Sequence, residues 1–215
     1  MKRKFFCFSV AFVLVIMFYA CAFSESQEEL KQMSGFLNNF TELNLFNFDT
    51  NSEETDGEEE GILHLGNPFN VSELIRFGIR HNYIRNNAEA VKRAPNVNDY
   101  GSFVIEGKFV SDTVKKFFGI DIKNQSVLYT EPSFYYDGKY YYFEPYEIIN
   151  DGETIYYTDV KQINKNENIL EISGEIYDSQ NINERPGKFT AYAKIIDNNF
   201  IITSITTDWR HNENE

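Results

Sequence analysis

Three histidines, His64, His81 and His211, are the first places to look for acid–base or metal chemistry in this 215-residue chain. No two stand at a metal-ligand spacing and no His-Glu-x-x-His stretch occurs, so no zinc or iron site is expected. His81, beside Arg80 in a helical pattern, reads as a surface or boundary residue. A serine nucleophile needs a base and oxyanion donors. No Gly-x-Ser-x-Gly elbow is present, and Gly101-Ser102 beside Tyr100 reads as a turn. Glycoside hydrolysis needs two carboxylates flanking one bond. Glu106, Asp112, Glu144, Glu147 and Glu175 form many pairs, but with 33 acidic residues the spacing selects none. Phosphate-binding glycine loops are missing too. The sequence therefore assigns no catalytic residue, no metal and no cofactor.

Recognition chemistry is better represented. Tyr135, Tyr136, Tyr140, Tyr141, Tyr142, Phe143, Tyr146, Tyr156 and Tyr157 crowd one stretch. Neighbours on a strand face opposite ways, so Tyr140-Tyr141-Tyr142 must place rings on both faces of a sheet. One set belongs to a core. The other either pairs across strands, worth roughly 0.2–1 kcal/mol per pair, or offers a rigid amphipathic contact surface. Near the end, Trp209 is the one tryptophan and Arg210 follows it. That pair either closes the last strand or stacks and ion-pairs with a partner. Tyr136, Tyr140, Tyr142, Tyr157, Trp209 and Arg210 are the candidate binding residues. Arg76, Arg80 and Arg85 form either a solvated helix face or an anion site.

Composition narrows the partner. Hydrophobic residues make up 42% and aromatic residues 16% of the chain, enough for a real core. The formal charge of -13 repels phosphate backbones, so nucleic acid is not expected as a partner.

Lys2, Arg3 and Lys4 precede an apolar run from Phe5 to about Phe18, and Ala20, Cys21 and Ala22 end it. These are the three parts of a secretory signal, and residues 1–22 are assigned to it. The run is short for a spanning helix, which makes a retained anchor the second choice. Ala20-Cys21-Ala22 fits ordinary cleavage, leaving a free chain that starts near Phe23. Tyr19-Ala20-Cys21 instead resembles a lipobox, with Cys21 lipidated, although Phe18 and Tyr19 depart from its usual residues. Loss of the three basic residues takes the charge from -13 to -16. Cys7 and Cys21 are the two cysteines, so the mature domain is expected to hold together without a disulfide.

The elements that must position the tyrosines can be read in order. Ser26 and Glu29 have capping-box spacing, and Leu30, Met33, Leu37 and Phe40 make one apolar stripe. Leu43, Leu45, Phe46 and Phe48 then pin this arm, 23–60, to the main domain, 61–215. Residues 51–60 form an acidic loop rather than a calcium loop. Asn70 and Glu73 open a second helix, which Ala88, Ala90 and Val91 extend until Pro95. A strand or turn at 103–110 leads to a short helix from Ser111 that stops at Gly119. Asp137-Gly138-Lys139 between aromatic runs signals a hairpin. Strands follow at 154–163, 169–177, 188–196 and 200–207. In the second of these, Leu170, Ile172 and Ile176 share the buried face and Ile169, Glu171 and Glu175 the wet one. The prediction is an α+β domain, with N-terminal helices followed by one curved antiparallel sheet of five or six strands that wraps a helix.

Phe36-Leu-Asn-Asn-Phe, Leu74-Ile-Arg-Phe, Val114-Lys-Lys-Phe-Phe-Gly and Tyr136-Asp-Gly-Lys-Tyr-Tyr together resemble a group of exported bacterial proteins of unknown function. The resemblance implies an extracytoplasmic domain, cystatin-like or nuclear-transport-factor-2-like, and carries over no functional residue. The expectation is a non-enzymatic cell-envelope module that binds a protein or glycan partner. Membrane contact would come only through Cys21. The alternatives are a small-ligand carrier or a hydrolase with a sheet-lined pocket.

Overall fold

Ser26 caps the first helix, α1 (Gln27–Thr41), as its spacing to Glu29 predicts. The Glu29 amide donates to Ser26 Oγ at 3.2 Å and the Ser26 amide to the Glu29 carboxylate at 3.1 Å. The computed structural model describes residues 26–50, 70–128, 133–144 and 154–209. The signal segment, Cys21, the acidic loop, His64, Tyr146, Glu147, Arg210 and His211 lie outside them. The remaining helices are α2 (Val71–Arg85), the single turn α3 (Asn87–Ala90) and α4 (Gly107–Phe118). Asn70 Oδ1 accepts the Glu73 amide at 3.1 Å to start α2. Gly119, in the left-handed conformation at φ 68°, ends α4 as expected.

The architecture is α+β, but with two antiparallel sheets instead of one. The larger has the order β1 (Phe48–Asp49), β9 (Asn199–Trp209), β8 (Gly187–Ile196), β7 (Ile169–Asp178) and β6 (Tyr156–Asn166). The smaller runs β2 (Val91–Asn98), β3 (Gly101–Glu106), β5 (Tyr140–Phe143) and β4 (Tyr135–Tyr136). The tyrosine hairpin pairs with β3, far back in the chain, and not with the long meander that follows it. Pairing of that kind has no local signature, which is why the sequence suggested a single sheet.

Two boundaries also move. Val91 does not extend α2 but begins β2, where Pro95 is tolerated because the strand is at an edge and the register shifts between Arg93 and Asn98. The short helix begins at Gly107 rather than Ser111. The remaining strands fall close to their predicted spans, and Leu170, Ile172 and Ile176 face inward as the alternation required.

Helices α2 and α4 form a middle layer. Leu74, Phe77, Val114, Phe117 and Phe118 join α1 residues Met33, Leu37 and Phe40 against the five-stranded sheet. Ile75, Ile79 and Val110 face the other way, onto Ile105, Tyr141 and Phe143 of the four-stranded sheet. Gly78 lets the two helices approach, since a Cβ there would lie 2.7 Å from Val110 Cγ1. Asn82 Nδ2 fastens them by donating to Thr113 Oγ1 at 2.8 Å.

The N-terminal segment covers part of both edges of the larger sheet. On the β6 side, Ser34 Oγ accepts the Val160 amide at 3.0 Å and Asn38 Oδ1 the Thr158 amide at 2.8 Å. On the β9 side, Phe48 and Asp49 add a short strand, and Asn47 Oδ1 accepts the Thr207 amide at 2.7 Å. Exposed edges invite pairing with other chains, and covering them with a helix is a recognised remedy. Strands β6 and β9 are three spacings apart, about 14 Å on a flat sheet. Yet the Tyr156 and Trp209 rings stand 5.1 Å apart, so the sheet must curl. Bulges at Val160/Gln162 and Tyr192/Ala193 supply bends.

Candidate functional site

The turn Asp137-Gly138-Lys139 fixes which tyrosines share a face. Asp137 Oδ1 accepts the amides of Lys139 at 2.8 Å and Tyr140 at 2.7 Å, which closes the loop. Tyr135 is then opposite Tyr142, and Tyr136 opposite Tyr141. Tyr141 is fully buried and Phe143 with it, both in the core beneath the four-stranded sheet. Tyr141 Oη donates to Asn124 Oδ1 at 3.1 Å and accepts the Gln125 amide, so its buried hydroxyl is satisfied. Burial pushes its ionisation well above the ordinary tyrosine value.

Tyr140 and Tyr142 occupy the outer face, half-buried, with Tyr135 beside Tyr142. The Tyr135 and Tyr142 rings are 6.1 Å apart, and Tyr100 stacks on Tyr135 at 4.1 Å with planes 16° apart. Tyr100, Tyr135 and Tyr142 thus form a continuous ladder across the outside of the sheet, and Tyr100 remains 52% exposed. Gly101 and Ser102 hold Tyr100 at its end of the ladder. Gly101 has φ 144°, and a Cβ there would run into the Phe143 carbonyl, so only glycine permits this approach. Ser102 binds Glu144 twice, through its amide at 2.6 Å and its hydroxyl at 2.8 Å.

Charge is organised around the turn. Tyr142 Oη donates to Asp137 Oδ2 at 3.0 Å, and this bond raises the tyrosine's pKa. Partial burial pushes Asp137 upward, but the Tyr140 and Lys139 amides and the Tyr142 hydroxyl outweigh it, and the net shift is downward. Lys139 Nζ lies 4.7 Å from the centre of the Tyr140 ring.

The six candidates from the sequence do not form one site. Tyr140 and Tyr142 are together. Tyr136 faces the opposite way, 4.7 Å from the Tyr141 ring, with its hydroxyl donating to the Gly138 carbonyl. Tyr157 is on the other sheet beside Tyr177, and burial followed by Glu42 raises its pKa. Trp209 closes the last strand against Phe46 and Tyr156. Neither Tyr100 nor Tyr135 is among the six. Counting back from the Asp-Gly turn would have placed Tyr135 opposite Tyr142, whereas nothing local marked Tyr100.

Two other readings change. His81 is buried, 6% exposed, instead of lying at the surface. Arg80 donates to the Leu43 carbonyl at 3.1 Å and Arg85 pairs with Glu42, so both brace the chain after α1 rather than forming a solvated face or an anion site. Among the described residues, no cluster of three or more His, Cys, Asp or Glu could hold a metal, and no helix is long and apolar enough to cross a membrane.

No family model, curated protein or solved structure matches this chain.

A groove of about 580 Å³ crosses the outer face of the five-stranded sheet, over Ser173, Thr190 and Thr206 and between Lys188 and Asp208. Another of about 590 Å³ runs between α1 and β6, past Leu30, Tyr177, Ile182 and Arg185. Both are open, and Asp159 at the second is held by Lys161 at 2.6 Å and by Arg185 at 3.7 Å. The inner face of that sheet is filled by Leu37 and Phe40 packed on Ile172, Ile176 and Ile202.

Proposed function

We propose that this protein is a non-enzymatic, extracytoplasmic binding module of the cell envelope. Its contact surface is the outer face of the four-stranded sheet, and its partner is an envelope protein or glycan. The observation that carries the reading is the ladder Tyr100–Tyr135–Tyr142, flanked by Tyr140 and Lys139. Tyrosines held by their neighbours give a large amphipathic contact area at little further entropic cost. The signal at 1–22 and the resemblance to exported bacterial proteins supply the cellular setting, with Cys21 as the point of any lipid attachment. The hydrolase and carrier readings both require a pocket lined by the curved sheet. The packing of Leu37 and Phe40 occupies that space.

The test is retention of the mature chain, with α1 included, on sacculi, soluble envelope glycans and membrane proteins, each tried separately at two salt concentrations. Tyr100→Ser with Tyr142→Ser should stay folded and lose retention at least tenfold. A doubly substituted protein that stays folded and is retained as well as the wild type would end the proposal.

A further inference from the structure

One buried histidine is placed where α1, α2 and α4 meet. His81, on α2, directs Nε2 at Asn39 Oδ1 on α1 at 3.0 Å. Because Asn39 Nδ2 is committed to the Phe36 and Gly35 carbonyls, its Oδ1 must accept, and Nε2 must carry the proton. Nδ1 is then a bare acceptor, buried and without a hydrogen-bond partner among the described residues. The ring is wedged between Phe77, 5.5 Å away, and Phe117 of α4, 4.7 Å away. One side chain therefore touches α1, which carries the large sheet, and both helices of the middle layer.

We infer that His81 is an acid-sensitive joint: protonating its ring loosens α1 from α2 and α4 while each sheet stays paired. A second ring proton would sit on Nδ1, where no acceptor waits, in an apolar slot. The charged groups around it make matters worse. Helix α4 presents Lys116, and α2 itself presents Arg85, whose partner Glu42 lies just beyond α1. Helix α1 offers the neutral Asn39. Burial, then Lys116 and Arg85, hold the folded pKa down to about 4 from an ordinary 6.5. With one proton linked to opening, the open population grows about tenfold for each pH unit across that interval. An exported chain would meet such changes directly, and in this respect alone the inference leans on the proposed setting.

The experiment is native-state hydrogen exchange on the full mature chain between about pH 7 and about pH 4.5, corrected for intrinsic rates. Amides of Ile79–Arg85 and Asn38–Leu43 should lose protection about tenfold per pH unit while those of β7 and β8 hold. His81→Gln, which stays neutral and can still donate to Asn39, should abolish the pH dependence. Equal loss in His81→Gln and wild type, or simultaneous loss at every amide, would overturn the inference. Should His81→Gln fail to fold, ring titration by NMR in the wild type decides. Protonation of His81 near its ordinary pKa, or protection that does not follow the His81 curve, would also overturn it. Neither result bears on the tyrosine face, whose retention assay is independent.

Discussion

Asn38 and Thr158, 120 residues apart, are joined twice: Asn38 Oδ1 accepts the Thr158 amide at 2.8 Å and the Thr158 hydroxyl at 2.9 Å. One α1 side chain thus takes the place of a neighbouring strand at the β6 edge. Asn38→Ala would leave a partly buried amide unpaired, and should cost about 1–3 kcal/mol in urea denaturation at neutral pH. Ser34→Ala, which frees only the Val160 amide, should cost about 1 kcal/mol. If both variants unfold at the wild-type urea concentration, the edge is not held this way.

Gly101 brings β3 against Phe143. Gly101→Ala should destabilise by at least about 1–3 kcal/mol, because strain at a positive φ adds to a collision with backbone. Since Tyr100 is adjacent, the substitution should also weaken partner retention. A thermal melt identical to wild type would show that the close approach is not required.

The two faces of β5 should respond differently. Tyr141→Ser removes a fully buried ring and its bond to Asn124, and should cost about 3–5 kcal/mol. Tyr142→Ser, on the outer face, should cost no more than about 1 kcal/mol. Equal losses in chemical denaturation would mean that the outer ladder is structural.

The sign of the pH dependence is set by His81. Its folded pKa lies below its unfolded one, so the unfolded chain takes up the proton first as pH falls. The contribution is whole above 6.5 and is lost between 6.5 and about 4, amounting to about 3 kcal/mol. His81→Phe should flatten that part of the stability–pH curve. An unchanged slope would place its origin elsewhere.

Asp137 titrates in the same direction but at lower pH. Its folded pKa is depressed, so its contribution is present above an unfolded value near 3.8 and fades as pH falls through the folded one. Asp137→Asn should remove this dependence, leaving the hairpin less stable at neutral pH but less sensitive to acid. The amide hydrogen exchange of Tyr140 reports it directly.

Local features were legible in the sequence. The Ser26–Glu29 box, the Asn70 cap, the Gly119 stop and the Asp137-Gly138 turn each depend on residues within three or four positions. Alternation along β7 was legible too, because Leu170, Ile172 and Ile176 needed only a shared face. The misses were long-range. Residues 91–98 contain Lys92, Arg93 and Pro95 and make a poor strand alone; pairing with β3 creates one. His81 looked like a surface residue because its burial is imposed by Phe117 and Asn39, neither on its own helix. The candidate site was half visible. Tyr140 and Tyr142 were named, but separating Tyr136 from them required the register, and finding Tyr100 required β2 and β3.

The cover on both edges of the large sheet also governs how the chain can become folded. Asn47 meets Thr207 across 160 residues, so the cover on the β9 edge depends on a long-range contact. Contacts of that range close slowly, because a long loop must be paid for before any reward. The apolar stripe of Met33, Leu37 and Phe40 shares its core with Ile202 and Ile205 of β9 as well as with Ile172 and Ile176 of β7, so its cover is complete once β9 has joined the sheet. Closing the larger core is therefore a late, long-range event, whereas the core beneath the four-stranded sheet is built from buried residues between Ile75 and Phe143 and can form before it.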